Sequence, residues 1–147
     1  MAADRPRILV LPAGGHPWLA DAVRAGGGDP VTEGEAQAVV WTDPRDAAGL
    51  RRLLDEQPGV DWVQLPWAGI DAFVTSGLLE HDVVFTCAKG AYDGHLAEHT
   101  LMLLLAAQRN VVRQARTPEW LPNEPEGLEG KRVTILGGGG IAARLVT

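Results

Sequence analysis

Short aliphatic, β-branched runs alternate with stretches of helical periodicity, and this alternation constrains the fold more than any other feature of the chain. Arg7-Ile8-Leu9-Val10-Leu11 is the first run, stopped by Pro12 and then Gly14-Gly15. Ala38 to Trp41, Val60 to Leu65, Val83 to Thr86 and Lys131 to Leu136 read as further strands. Between the first two, Leu19, Ala22 and Val23 repeat at helical spacing before Gly26-Gly27-Gly28 ends the helix. Asp43 is a natural N-cap with Pro44 at the first helical position, for a helix running through Leu50, Leu53 and Leu54 to Pro58-Gly59. Asp71 to Leu79 reads as a short helix. Glu98 to about Val112 is the strongest helix, with Leu101, Leu104, Leu105 and Val112 at core spacing. Arg109 and Arg113 sit near its end, where positive charge is favourable. Residues 117–130, rich in Pro, Glu and Gly, read as a loop. Strands alternating with helices predict an α/β fold with a parallel sheet and helices on its faces.

Composition narrows the partners. The 147 residues are 46% hydrophobic and 22% charged, enough for one medium domain, or one small domain plus part of another. A net charge of −6 leaves no basic surplus to neutralise phosphates, so nucleic acid is not an expected partner. The single cysteine, Cys87, forms no internal disulfide framework, fits a reducing compartment and reads as a small core residue rather than a nucleophile. The start, Met-Ala-Ala-Asp-Arg-Pro-Arg, lacks an apolar signal core, and the longest apolar run, Leu101 to Ala107, is too short to span a bilayer. These features lead us to expect a soluble, cytoplasmic protein with no membrane partner.

Chemistry concentrates at one motif. Gly137-Gly138-Gly139-Gly140-Ile141-Ala142 fits G-x-G-x-x-G/A and lies between a predicted strand and a predicted helix start, the context that motif needs. Gly137 allows the tight turn, Gly139 lets backbone approach a pyrophosphate, and the small Ala142 lets helix and strand pack closely. A flexible glycine turn without a ligand is the plain alternative; the strand in front favours a dinucleotide. A dinucleotide fold also needs further strands and an acidic residue about 20 positions on. The sequence runs to Thr147, five residues past Ala142, so the expectation is a truncated domain or a vestigial motif. Elsewhere, Glu98 and His99 are adjacent on a helix and do not face each other, which reads as a helix-start acid and a packed His. His16, His81 and His95 lack metal-ligand spacing, so no metal is expected. The five Trp residues read as packing, since no basic stripe accompanies them.

Several segments, taken in order, resemble the D-isomer-specific 2-hydroxyacid dehydrogenases. Leu128-Glu129-Gly130-Lys131 through Ala142 is similar to that family's L-x-G-K, strand and glycine loop. Ala68-Gly69-Ile70-Asp71 resembles its Gly-Val-Asp loop. Thr86-Cys87-Ala88-Lys89-Gly90 through Leu96-Ala97-Glu98-His99-Thr100-Leu101 resembles its T-N-A-x-G followed by V-A-E-H and a leucine-rich helix, and Trp120 stands where members often carry a Trp. Cys87 replaces the usual Asn.

The resemblance implies a flavodoxin-like parallel-sheet substrate domain over residues 1–92. It implies the first strand and glycine loop of a Rossmann NAD(P)-binding domain, truncated, over 93–147. It implies that backbone N–H groups of Ala68, Gly69 and Ile70 hold a substrate carboxylate, with Tyr92 lining the pocket. On sequence alone the same loop reads as a plain turn capped by Asp71, and Tyr92 as a packing residue. Thr100, Gly137, Gly139, Gly140 and Ile141 would contact NAD or NADP. The implied substrate is a small 2-oxo or 2-hydroxy acid, and the implied assembly a homodimer. The family's catalytic Arg, Glu and His fall beyond Thr147, so no catalytic residue is assigned and the chain alone is expected to be inactive. The rival reading is a non-catalytic α/β ligand-binding or interaction domain that keeps a vestigial cofactor motif.

Overall fold

The computed structural model describes residues 5–14, 16–120, 122 and 126–147. Two compact units divide the chain, Met1–Lys89 and Gly90–Thr147.

The first unit is built from β1 (Arg7–Leu11), α1 (Trp18–Ala25), β2 (Asp29–Val31), β3 (Ala38–Trp41), α2 (Ala47–Glu56), β4 (Trp62–Gln64), α3 (Asp71–Thr75), a 3-10 turn (Leu78–Glu80) and β5 (Val84–Thr86). Its sheet runs β2-β1-β3-β4-β5, and every pair is parallel. That is the flavodoxin-like strand order. The register places Leu9 beside Val39, Val39 beside Val63 and Val63 beside Phe85. Leu9, Val39, Val63, Leu50, Leu65, Phe73 and Leu78 are fully buried. Parallel strands covered by helices bury both faces, which is why β1 and β3 are almost continuously aliphatic rather than alternating; β5, at the sheet edge, leaves Val84 and Thr86 exposed.

Two features of this unit depart from the sequence reading. Strand β2, Asp29-Pro30-Val31, went unforeseen because it is short and holds a proline. As an edge strand it tolerates a residue with no N–H. Helix α2 begins at Ala47 and is capped by Asp46, whose side chain accepts from the Gly49 N–H at 2.7 Å. Asp43 is not that cap. Its carboxylate accepts from the Arg45 N–H at 2.8 Å, closing a local turn ahead of the helix. Tryptophans also divide differently from the expectation. Trp41 is buried and Trp62 half-buried, but Trp18, Trp67 and Trp120 are exposed. Cys87 packs half-buried against the core.

The second unit holds α4 (Asp93–Gln108), α5 (Val111–Ala115) and α6 (Gly140–Leu145), with α6 packed on α4. Helix α4 starts at Asp93 rather than Glu98 and stops before Val112. Asn110 adopts the left-handed conformation, φ 53°, and separates α4 from α5. The core spacing read along this helix does not become a core. Leu101, Leu105 and Val112 are exposed, and Ala97 is the buried residue of α4. Residues 131–136, expected as the first Rossmann strand, form no strand. A strand exists only where a neighbour completes its hydrogen-bond ladder, and none of the described residues pairs with this segment. Near it, a hydrogen bond from the Lys131 ammonium, reinforced by its charge, holds the exposed Glu126 carboxyl below the usual carboxylate range.

Candidate functional site

Open parallel sheets present ligands with the loops that leave the carboxyl ends of their strands. One such loop follows β4. After Gln64 the chain passes Leu65, whose N–H donates to the Thr86 carbonyl at 2.7 Å, and Trp67, whose carbonyl accepts from the Ala88 N–H at 3.2 Å. These bonds tie the loop to the strand beside it. Ala68 and Gly69 are exposed, whereas Ile70 packs on the core. The Ile70 carbonyl accepts from Phe73 and Val74 at 2.9 and 3.0 Å, and the buried Phe73 anchors the helix that follows. Among the described residues, none accepts a hydrogen bond from the backbone N–H of Ala68, Gly69 or Ile70. The loop therefore has a fixed base and a rim of unused donors. Gly69 does not occupy the left-handed region, and a side chain there would meet only the Asp71 carboxylate, at 3.9 Å. Its role as a glycine is thus not a conformational one within this chain.

A second concavity, of about 350 Å³, lies at the carboxyl ends of β1 and β2 and is lined by Val10, Ala13, His16, Pro17 and Thr32 among others. The His16 ring stacks on Trp18 with centroids 6.0 Å apart.

Tyr92, Thr100 and the glycine loop belong to the second unit, and Ala68–Ile70 to the first. Tyr92 precedes α4, its carbonyl accepting from Leu96 at 2.9 Å, and about half of its surface is exposed. The Thr100 hydroxyl donates to the Leu96 carbonyl at 2.7 Å, so its proton is spent inside its own helix. Gly137 sits at φ +99°, a conformation that favours glycine. Side chains at Gly138 or Gly139 would meet nothing within 4 Å. Gly139 is extended, and its carbonyl accepts from Ala143 at 3.1 Å as α6 begins. Gly140 is different: the Asp93 carboxylate fills the space a side chain there would take. Ile141 is partly exposed. Among the described residues, no group of three or more His, Cys, Asp or Glu side chains could hold a metal ion, and no helix is long and apolar enough to cross a membrane.

The architecture has close counterparts among solved structures. A D-isomer specific 2-hydroxyacid dehydrogenase family protein from Aeromonas salmonicida matches 97% of the chain with a TM-score of 0.70 at 20% identity. An NADPH-dependent glyoxylate/hydroxypyruvate reductase from Sinorhizobium meliloti, solved with NADP and malonate, matches 97% with a TM-score of 0.65 at 21% identity. D-mandelate dehydrogenase from Rhodotorula graminis matches 78% with a TM-score of 0.53. The fold is that of the D-isomer-specific 2-hydroxyacid dehydrogenases. This is the family that the sequence motifs resemble. The chain spans about half the length of the first two dehydrogenase structures, 49% of each. In sequence, it is 35% identical over 98 residues to a Corynebacterium melassecola protein described as an uncharacterized protein in the proB 3' region; that match covers 63% of this chain and 32% of the relative. No family model matches the chain.

Both loops are legible in the sequence as loops, whereas the contact between Asp93 and Gly140 is not. The glycines and the Gly-Ile-Asp turn announce themselves by residue type. Asp93 meets Gly140 only through the packing of α6 on α4, across 47 positions of sequence (140 − 93), and no local spacing signals that.

Proposed function

We propose that this chain is part of an NAD(P)-dependent oxidoreductase acting on a small 2-hydroxy or 2-oxo acid, a D-2-hydroxyacid dehydrogenase. The observation that carries the reading is the coincidence of ordered motifs with the dehydrogenase fold over 97% of the chain. Residues 1–92 would be the substrate domain and 93–147 the start of the cofactor domain. The free N–H groups of Ala68, Gly69 and Ile70 suit a carboxylate, which accepts several hydrogen bonds at once. Tyr92 would line the substrate pocket.

The glycine loop fits a dinucleotide. Gly137 makes the turn, and the open space beside Gly138 and Gly139 admits a pyrophosphate against bare backbone. Gly140, Ile141 and Thr100 would complete the contacts. The nicotinamide supplies or accepts the hydride when bound. This chain's own part is to orient the acid by its carboxylate and to seat the cofactor. No residue of it is assigned to proton transfer, so the chain alone is proposed to be inactive. We place the whole protein in the cytoplasm as a homodimer.

A non-catalytic α/β ligand-binding domain is the second reading, favoured by the absence of a strand over 131–136. Titrations of the chain with malonate, glyoxylate, NADH and NADPH separate the two. We expect carboxylates to shift the amide resonances of Ala68 to Ile70, and NADH or NADPH to shift those of Gly137 to Ile141. Gly139→Val places a side chain in open space, so it should weaken the cofactor without unsettling the fold. Silence of the glycine-loop amides at saturating NADH and NADPH would leave the second reading standing.

A further inference from the structure

Asp93 opens α4, and its carboxylate lies in contact with the glycine loop. It occupies the volume that any side chain at Gly140 would need. It also lies 3.9 Å from where a side chain on Gly90 would begin, and Gly90 stands at φ +87°. Asp93 is half-buried, and its N–H donates to the Gly90 carbonyl at 3.4 Å. No cation answers the carboxylate: the ion pairs among the described residues are Arg24 with Asp21, His81 with Asp55 and Lys131 with Glu126. No described donor forms a hydrogen bond to it either. An unpaired negative charge thus stands beside the backbone that would receive a dinucleotide pyrophosphate.

We propose that Asp93 sets the affinity of the glycine loop for its cofactor, holding it below what the loop alone would give. The proposal rests on the dinucleotide reading above. Like-charge repulsion between this carboxylate and an anionic ligand on the loop would favour the ligand's release. A fast-exchanging cofactor, rather than a tightly retained one, is the consequence.

Asp93→Asn removes the charge and keeps the volume. Dissociation constants of the chain for NADH and NADPH are measured by nucleotide fluorescence at low and high salt, beside Asp82→Asn as a control that removes one charge from an exposed site in the other unit. Asp93→Asn should tighten both nucleotides roughly threefold to thirtyfold at low salt, the gain shrinking as salt rises. Asp82→Asn should leave both constants unchanged. The amide resonances of Gly139 to Ala142 should move in Asp93→Asn, which reports the contact without any nucleotide. Binding of equal strength in wild type and Asp93→Asn, or amides that stay in place, would overturn the role of Asp93 alone. Moving amides with no nucleotide bound by either protein would overturn the dinucleotide reading, and this role with it.

Discussion

A single glycine shows how much a residue type can tell. Gly69 was legible in the sequence as a loop glycine after a strand, and the structure refines the reason for it. It has no left-handed backbone, and a side chain would meet little more than the Asp71 carboxylate at 3.9 Å. We therefore expect Gly69→Ala to leave the stability of the chain within about 0.5 kcal/mol, read from a thermal or urea melt. Any loss of carboxylate affinity in the same variant then reports on the ligand and not on the fold. Loss of charge-assisted contacts should weaken carboxylate binding by roughly tenfold to over a hundredfold. A large stability loss would mean that the loop relies on Gly69 for its own conformation. Gly137 was legible for the opposite reason, since its φ of +99° is one that favours glycine. Asp93 and the buried Trp41, whose Nε1–H lacks a partner among the described residues, were not legible. Both owe their surroundings to segments distant in sequence.

Elements read best where local chemistry and packing agree. The aliphatic runs of β1 and β3 were visible because a covered parallel strand is apolar on both faces, and β4 and β5 showed through their β-branched and aromatic residues, although Val84 and Thr86 of β5 are exposed. Helix α2 was visible too, but its start was misplaced by three residues (Asp46 − Asp43). Two aspartates near one helix start compete for the cap, and only the one whose carboxylate reaches an amide of the first turn wins. Asp46→Ala should cost about 1 kcal/mol of stability, and Asp43→Ala distinctly less. Equal losses in chemical denaturation would return the cap to Asp43. Where local pattern and packing part ways, the pattern misleads. Leucines of α4 recur at helical spacing, yet most face solvent. The run 131–136 is as β-prone as β1, yet it has no neighbour to pair with. Strand identity is a property of a pair, and one run holds half of it.

For the molecule as a whole, the exposed apolar surface of α4 is the feature with the largest consequence for behaviour in solution. Leu101, Met102, Leu103 and Leu105 are each at least two-fifths exposed, and Val111 and Val112 of α5 add to them. Exposed apolar area of this kind drives association. The chain should elute with a mass that rises with concentration, and Leu103→Lys should lower that mass, measured by light scattering behind a sizing column. A wild-type mass independent of concentration would contradict this. A different consequence follows from the strand order of the first unit. Every pairing in β2-β1-β3-β4-β5 joins parallel strands, so no hairpin can form early and hold the rest in place. Each pairing must close a crossover first, which favours slow, all-together assembly. Opening should run the other way, from the margins inward. In deuterated water, amides of Leu9, Val39 and Val63 should keep their protons longest, while those of Val31 and Val84 at the two outer strands lose theirs first.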